Sequence, residues 1–196
     1  ARCGLFDPPY GIGYASGYAT ARLWAGGRAI EGDRNPRVRD AAIGLLGDIP
    51  MLVFGSREVA LPPNHRMTLT WDKGRALGMG DLRLPWKPST EEIYAVGDAS
   101  GFVGRRDKGA VISHPPVQSL YRNGRRHPNQ KPVGLLRTLL QSLRAGSVID
   151  PFMGAGSVGV AAVAEGRPYV GIEIVPEFFD IACRRVETAV ARGVFA

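Results

Sequence analysis

Apolar residues along this chain fall into short runs separated by turn residues, and the period changes from run to run. Cys3-Gly-Leu-Phe6 is apolar and is followed by Asp7-Pro-Pro-Tyr10; proline cannot donate to a sheet ladder, so a strand here stops at Asp7. Residues 38–46 have helical spacing, and 50–55 form a continuous apolar run closed by Gly55-Ser56, as in a buried parallel strand. Residues 67–71 and 92–96 predict two further strands. Pro132 opens an amphipathic helix with Leu136, Leu139, Leu140 and Leu143 on one stripe and Gly146 past its end. A strand at 147–150, a glycine-rich turn, a small-residue helix at 157–165 and a strand at 169–173 then make one βαβ unit. Pro176 starts a last helix that places Phe178, Ala182, Val186 and Ala189 on a shared face.

The segments between are different in kind. Residues 11–40 and 75–89 are rich in turn residues and predict loops, with one short helix near 20–24. Residues 97–129 carry turn residues and scattered aromatics without a period long enough for a core element. We read 98–129 as an inserted surface region within one domain spanning 1–196.

Composition narrows the picture. A chain of 196 residues suits one domain that buries roughly 70% of its unfolded surface. Its 44% apolar and 22% charged residues are ordinary for a globular protein, and 26 Gly with 15 Pro indicate many turns. No apolar run approaches the ~20 residues of a membrane helix, and no signal segment is evident, so a cytoplasmic protein without a membrane partner is expected. Cys3 and Cys183 are too far apart for a zinc knuckle and too few for a disulfide framework; they are read as reduced core residues, with no metal site. The net charge of +7 and pI near 9.8 favour a polyanionic partner. Much of the excess sits in one window, where Arg105, Arg106, Lys108, Arg122, Arg125, Arg126 and Lys131 face Asp107 alone.

Asp150-Pro-Phe-Met-Gly154-Ala-Gly156-Ser-Val-Gly159 places G-x-G-x-x-G between a strand and a helix. Glycines there let the backbone approach a ligand and present helix N-terminal amides, which implies an adenosine-type cofactor. Glu173 ends the following strand, where a carboxylate can accept both ribose hydroxyl protons. The turn alone does not separate S-adenosylmethionine from a dinucleotide, and a NAD-dependent oxidoreductase would also satisfy it.

Asp7-Pro-Pro-Tyr10, the Asp150–Gly156 turn and His127-Pro-Asn-Gln-Lys-Pro132 together resemble the amino-group DNA methyltransferases of the beta class. The resemblance covers nearly the whole chain. It implies an α/β, Rossmann-like methyltransferase fold: a mostly parallel twisted sheet with helices on both faces, in permuted order, catalytic half first and cofactor half last. It implies methyl transfer from S-adenosylmethionine to N6 of adenine in DNA by base flipping, with N4 of cytosine as the alternative. Asp7, Pro8, Pro9 and Tyr10 would be catalytic: Asp7 and the Pro8 carbonyl accept the amine hydrogens and Tyr10 stacks on the base. Asp150, Phe152, Gly154, Gly156, Ser157, Glu173 and Ile174 would line the cofactor site, and Gln130, Lys131 and Pro132 would close its methionine end. The basic window falls where this class carries its target-recognition region, so Arg105, Arg106, Lys108, Arg122, Arg125 and Arg126 are the expected DNA contacts. Relatives are often dimers, which adds a second copy of the chain as an expected partner.

Two departures stand out. In many relatives a strand with a Gly-Asp turn precedes the Asp-Pro-Pro-Tyr strand, whereas six residues precede Asp7 here. That strand is expected to be missing, and the chain to be a shortened or trimmed form; a DNA-binding remnant without turnover is a further alternative. Neither cysteine follows proline, which argues against C5-cytosine chemistry with its cysteine nucleophile.

Overall fold

In a computed structural model, the structure describes residues 1–13, 32–74, 83–117 and 130–193. The expected helix near residues 20–24 lies outside them. Among the described residues, seven strands form one sheet in the order β5-β3-β4-β2-β1-β6-β7: β1 (Cys3–Phe6), β2 (Met51–Gly55), β3 (His65–Asp72), β4 (Thr90–Val96), β5 (Val111–Ser113), β6 (Val148–Asp150) and β7 (Tyr169–Gly171). Four helices accompany it: α1 (Arg37–Leu46), α2 (Val133–Leu140), α3 (Ser157–Ala164) and α4 (Pro176–Gly193).

β1 is paired in parallel with β2 on one side and β6 on the other, and β7 continues the parallel set beyond β6. β4 runs antiparallel to both β2 and β3, and β5 is parallel to β3. Alternation along the strands splits the core in two, because successive side chains point to opposite faces. Cys3, Leu5, Leu52, Phe54, Trp71 and Ile93 face a cluster completed by α2 and α3 through Leu135, Leu136, Leu139, Val158, Ala161 and Ala162. Phe6, Met51, Val53, Tyr94 and Val96 face the other way, under Ile43 of α1.

Three differences from the sequence expectation have a physical reason. α2 ends at Leu140, and Leu143 lies beyond it, bridged to Phe102; the apolar period continues through a turn in which the Leu143 N–H donates to the Leu140 carbonyl. β7 stops at Gly171: the Ile172 N–H still bonds the Asp150 carbonyl, but the Ile172 carbonyl takes the Met153 N–H, beyond the turn after Asp150, and the ladder goes no further. Residues 97–129 do contain a sheet element, β5, too short at three residues to show a period. Cys3 is buried, whereas Cys183 is half-buried on α4; both are free thiols. No described helix is long and apolar enough to cross a membrane.

The glycine turn is packed as well as bent. Gly156 has φ 74°, and a Cβ there would lie 2.9 Å from Ala182 Cβ and 3.0 Å from Ala182 Cα, so α4 approaches the turn backbone directly. At Gly159 a Cβ would fall 2.7 Å from both Tyr169 and Val186. Gly166 shares the left-handed backbone, with φ 64°, but a Cβ there meets nothing within 4 Å. Gly166→Ala should therefore cost only the left-handed penalty, roughly 1 kcal/mol. Gly156→Ala adds a backbone clash and should cost about 1–3 kcal/mol more. Urea unfolding of the two variants side by side measures the difference.

Candidate active site

The parallel strands end together at one edge of the sheet, and the chain leaves two central neighbours in opposite directions. From β1 it reaches β2 through α1 on one face, and from β6 it reaches β7 through α3 on the other. A crevice opens where the crossovers diverge, which is where open α/β sheets bind ligands. With Gly4 opposite Ile149, the Asp7 turn and the Asp150 turn emerge side by side there. The rings of Phe6 and Phe152 meet across them at 5.8 Å.

On the first side stands a compact charged cluster. Cys3, Leu5 and Asp7 share one face by alternation, so the Asp7 carboxylate emerges on the side covered by α2. The Lys131 ammonium, just before α2, donates to Asp7 Oδ2 at 2.7 Å and to the Tyr10 hydroxyl at 3.0 Å. It also pairs with Glu91 Oε2 at 3.2 Å. Tyr10 donates its hydroxyl to Asp7 Oδ1 at 2.7 Å and lies 3.3 Å from Glu91 Oε2. Lys73, just past β3, holds the outer Glu91 oxygen at 2.6 Å. Lys131 sits 4.8 Å from the Phe54 ring centroid and Lys73 5.0 Å from that of Trp71, so the cluster has an aromatic floor.

Burial in this cluster works against every charge, and the partners decide the outcome. Burial pushes Asp7 upward despite the adjacent Lys131 ammonium, and the Glu91 charge adds to the rise. Burial also pushes Glu91 up, but Lys131 and Lys73 more than offset it and hold its carboxyl below the usual range. For Lys131 burial favours the neutral amine, yet Asp7 and Glu91 prevail and raise it above the ordinary lysine value. Burial, followed by the Asp7 and Glu91 charges, pushes the Tyr10 phenol well above its usual range.

The Asp-Pro-Pro-Tyr turn is itself anchored. Buried Asp33 accepts the Gly11 N–H on its carboxylate and the Gly13 N–H on its carbonyl, each at 2.6 Å. Pro8 is buried and Pro9 half-buried.

On the second side, Glu173 accepts the Gly154 N–H at 2.8 Å and the Val175 N–H at 2.9 Å. Gly154 and Gly156 both take positive φ. Asp150 is fully buried; it accepts the Phe152 N–H at 3.0 Å and the Tyr169 hydroxyl at 3.3 Å, and burial pushes its carboxyl up to about 7. Ser157 is buried, with its hydroxyl and the Ala155 carbonyl facing the Arg185 guanidinium. Ile174 is 71% exposed at the rim. Pro132 caps α2 and is buried, and Gln130 is half-buried beside Lys131. The Lys131 ammonium, expected from sequence at the cofactor end, lies on Asp7, Tyr10 and Glu91.

Arg105, Arg106 and Lys108 are exposed on the segment that leads into β5. Arg122, Arg125 and Arg126 lie outside the described residues. Glu91, Lys73 and Asp33 were not picked out from sequence. The alternation Leu69-Trp71-Lys73 and Glu91-Ile93-Ala95 puts the first two on the core face with Leu5, but only the strand order brings them to Asp7.

An open, mostly parallel α/β sheet with an acidic proline turn and a glycine turn at one switch point defines a Rossmann-like methyltransferase fold. Residues 64–184 match the profile of the N6/N4 DNA methylase family, and the chain belongs to that family. It is 40% identical over 83 residues to the DNA adenine methyltransferase YhdJ of Escherichia coli K12, a match covering 41% of this chain and 28% of that protein. Its fold is similar to that of M1.HpyAVI in complex with SAM, with a TM-score of 0.64 at 19% identity, covering 94% of this chain and 88% of that one. It is likewise similar to the cytosine-N4-specific PvuII DNA methyltransferase, with a TM-score of 0.64 at 12% identity, covering 98% and 85%.

Lys131 is the common counter-ion of two half-buried carboxylates, so its removal leaves them facing each other. Glu91 lies below its unfolded value, so its share of stability is present above the glutamate range and lost as pH falls through it. Lys131 lies above its unfolded value, so its share persists at neutral pH and is lost only in strong alkali. Lys131→Met should destabilise the fold by about 3–5 kcal/mol at pH 7. The deficit should shrink as the pH falls toward 4 and the two carboxylates take up protons, which urea unfolding at a series of pH values reads directly.

Proposed function

We propose that the chain is an S-adenosylmethionine-dependent DNA methyltransferase that methylates N6 of adenine. The observation that carries this reading is the Asp7 carboxylate and the Asp150–Gly156 turn emerging together at the switch point of the sheet. The likeness to YhdJ, named as an adenine methyltransferase, supports adenine as the base.

The second side fits the cofactor by its donor set. Left-handed Gly154 has open space, with nothing closer than 3.9 Å to a built Cβ. Asp150 is a buried carboxyl whose hydrogen-bond donors are neutral, a place where a cationic ligand is stabilised. Asp150, Phe152, Gly154, Gly156 and Ser157 would shape the site, Glu173 would accept the ribose hydroxyls, and Ile174 would flank the adenine. Gln130, Lys131 and Pro132 would close its methionine end, with the Lys131 ammonium turned to Asp7, Tyr10 and Glu91. When bound, S-adenosylmethionine supplies an electrophilic methyl group.

The chain's own task is to make an amide-like amine nucleophilic. Asp7 and the Pro8 carbonyl accept its two N–H bonds, turn its lone pair away from the ring and stabilise the charge that develops on nitrogen. Tyr10 stacks on the base, which has to leave the duplex stack at a cost of a few kcal/mol. We place 98–129 as the target-recognition region of a single domain, with Arg105, Arg106, Lys108, Arg122, Arg125 and Arg126 on DNA phosphates or base edges.

Incubation with unmethylated DNA and S-adenosylmethionine, followed by nucleoside mass spectrometry, should yield N6-methyladenine. Asp7→Ala should lower turnover at least about 100-fold while cofactor binding stays measurable by calorimetry. N4-methylcytosine would keep the chemistry and change the target; full activity of Asp7→Ala would remove Asp7 from its assigned role.

A further inference from the structure

Asp7 carries a conflict in this arrangement. To accept the hydrogens of a target amine it needs available negative charge, yet the buried Lys131 ammonium is bonded to it at 2.7 Å. One lysine on one aspartate would neutralise the pair and spend an acceptor site of the carboxylate. Here the same ammonium has a second carboxylate, Glu91 Oε2, at 3.2 Å. The inner group of Asp7, Lys131 and Glu91 therefore carries one net negative charge, which Lys73 balances from the outer side of Glu91. Glu91 is not free to swing away: Lys73 grips its other oxygen at 2.6 Å, which turns Oε2 inward. The scaffold is rigid, since Glu91 pairs with Trp71 in the antiparallel β3–β4 ladder and Lys73 follows two residues on, on the same face.

We propose that Glu91, clamped by Lys73, is a positioning residue that shares the Lys131 ammonium and so keeps the Asp7 carboxylate a stronger acceptor for the target amine. This rests on the methyltransferase reading above. The charged and titratable groups facing Asp7 are Lys131 ahead of α2, Glu91 on β4, Tyr10 on its own turn and Asp150 on β6. Among them Glu91 opposes ionisation of Asp7, while Lys131 and the Tyr10 hydroxyl favour it. Removing the Glu91 charge hands Lys131 wholly to Asp7, which then ionises at lower pH and binds the amine less strongly.

The test compares the full chain with Glu91→Gln and Glu91→Asp. Glu91→Gln should lower kcat roughly 10- to 100-fold with KM for DNA and cofactor affinity unchanged. The acid limb of the kcat/KM profile should move to lower pH, and the Asp7 carboxyl carbon, followed by 13C NMR, should titrate at lower pH by the same amount. Glu91→Asp keeps the charge and should recover part of both; if Glu91→Gln fails to fold, Glu91→Asp must show the same shift in smaller measure. An unmoved Asp7 titration, or a loss confined to KM, would overturn the proposal. If the unsubstituted chain makes no methylated base, the proposed function fails instead, and the NMR arm alone decides: a shift supports the charge sharing and none refutes it.

Discussion

β1 is bonded on both sides by strands that run parallel to it. A parallel neighbour cannot be reached by a tight turn, only by a crossover of a dozen or more residues. The two crossovers nearest the centre lie on opposite faces, so the backbone diverges above β1 and β6 and leaves the crevice that both functional turns share. The rest follows from that placement. The proline pair ends β1 before the crevice can be filled by further sheet, the left-handed glycines turn the chain sharply after β6, and the segment ahead of α2 delivers Lys131 to Asp7. The parallel core is buried on both faces by α1 on one side and α2 with α3 on the other.

The charged cluster is better understood as a device for orientation than for stability. Taking two carboxylates and an ammonium out of water costs several kcal/mol per ion, and replacing such groups by apolar ones is often neutral or favourable. What the cluster provides is direction. Asp7 has one oxygen on Lys131 and one on Tyr10, so its plane is set before any ligand arrives, which lowers the reorganisation needed during reaction. Asp33 fixes the same turn through its backbone amides.

Where the sequence was informative, the reason was local. Two prolines after Phe6 end a strand whatever surrounds it, and glycines at 154 and 156 mark a bend that other residues adopt only under strain. Glu91 was opaque for the opposite reason. It lies just outside the strand predicted at 92–96, and nothing in its own residues says that it lies two strands from Asp7. β5 was hidden because three residues carry no period, and its pairing with β3 is decided by Trp71 and its neighbours rather than by its own sequence. Lys131 was found as part of a motif, but its partners lie 124 and 121 residues away, a relation that spacing does not encode.

The central position of β1 also bears on how the protein comes off the ribosome. Of the described strands β1 has the most distant partner: Cys3 lies against Ser147, 144 residues further on. At about 5–20 residues per second, β1 waits on the order of ten seconds for that neighbour. During that interval its outer edge is an open row of amides and carbonyls on a wholly apolar strand, the kind of template on which nascent chains associate. Chaperone cover while the stretch between β1 and β6 is made, and slow closure of the sheet around β1, are the expected signature of this topology in the cell.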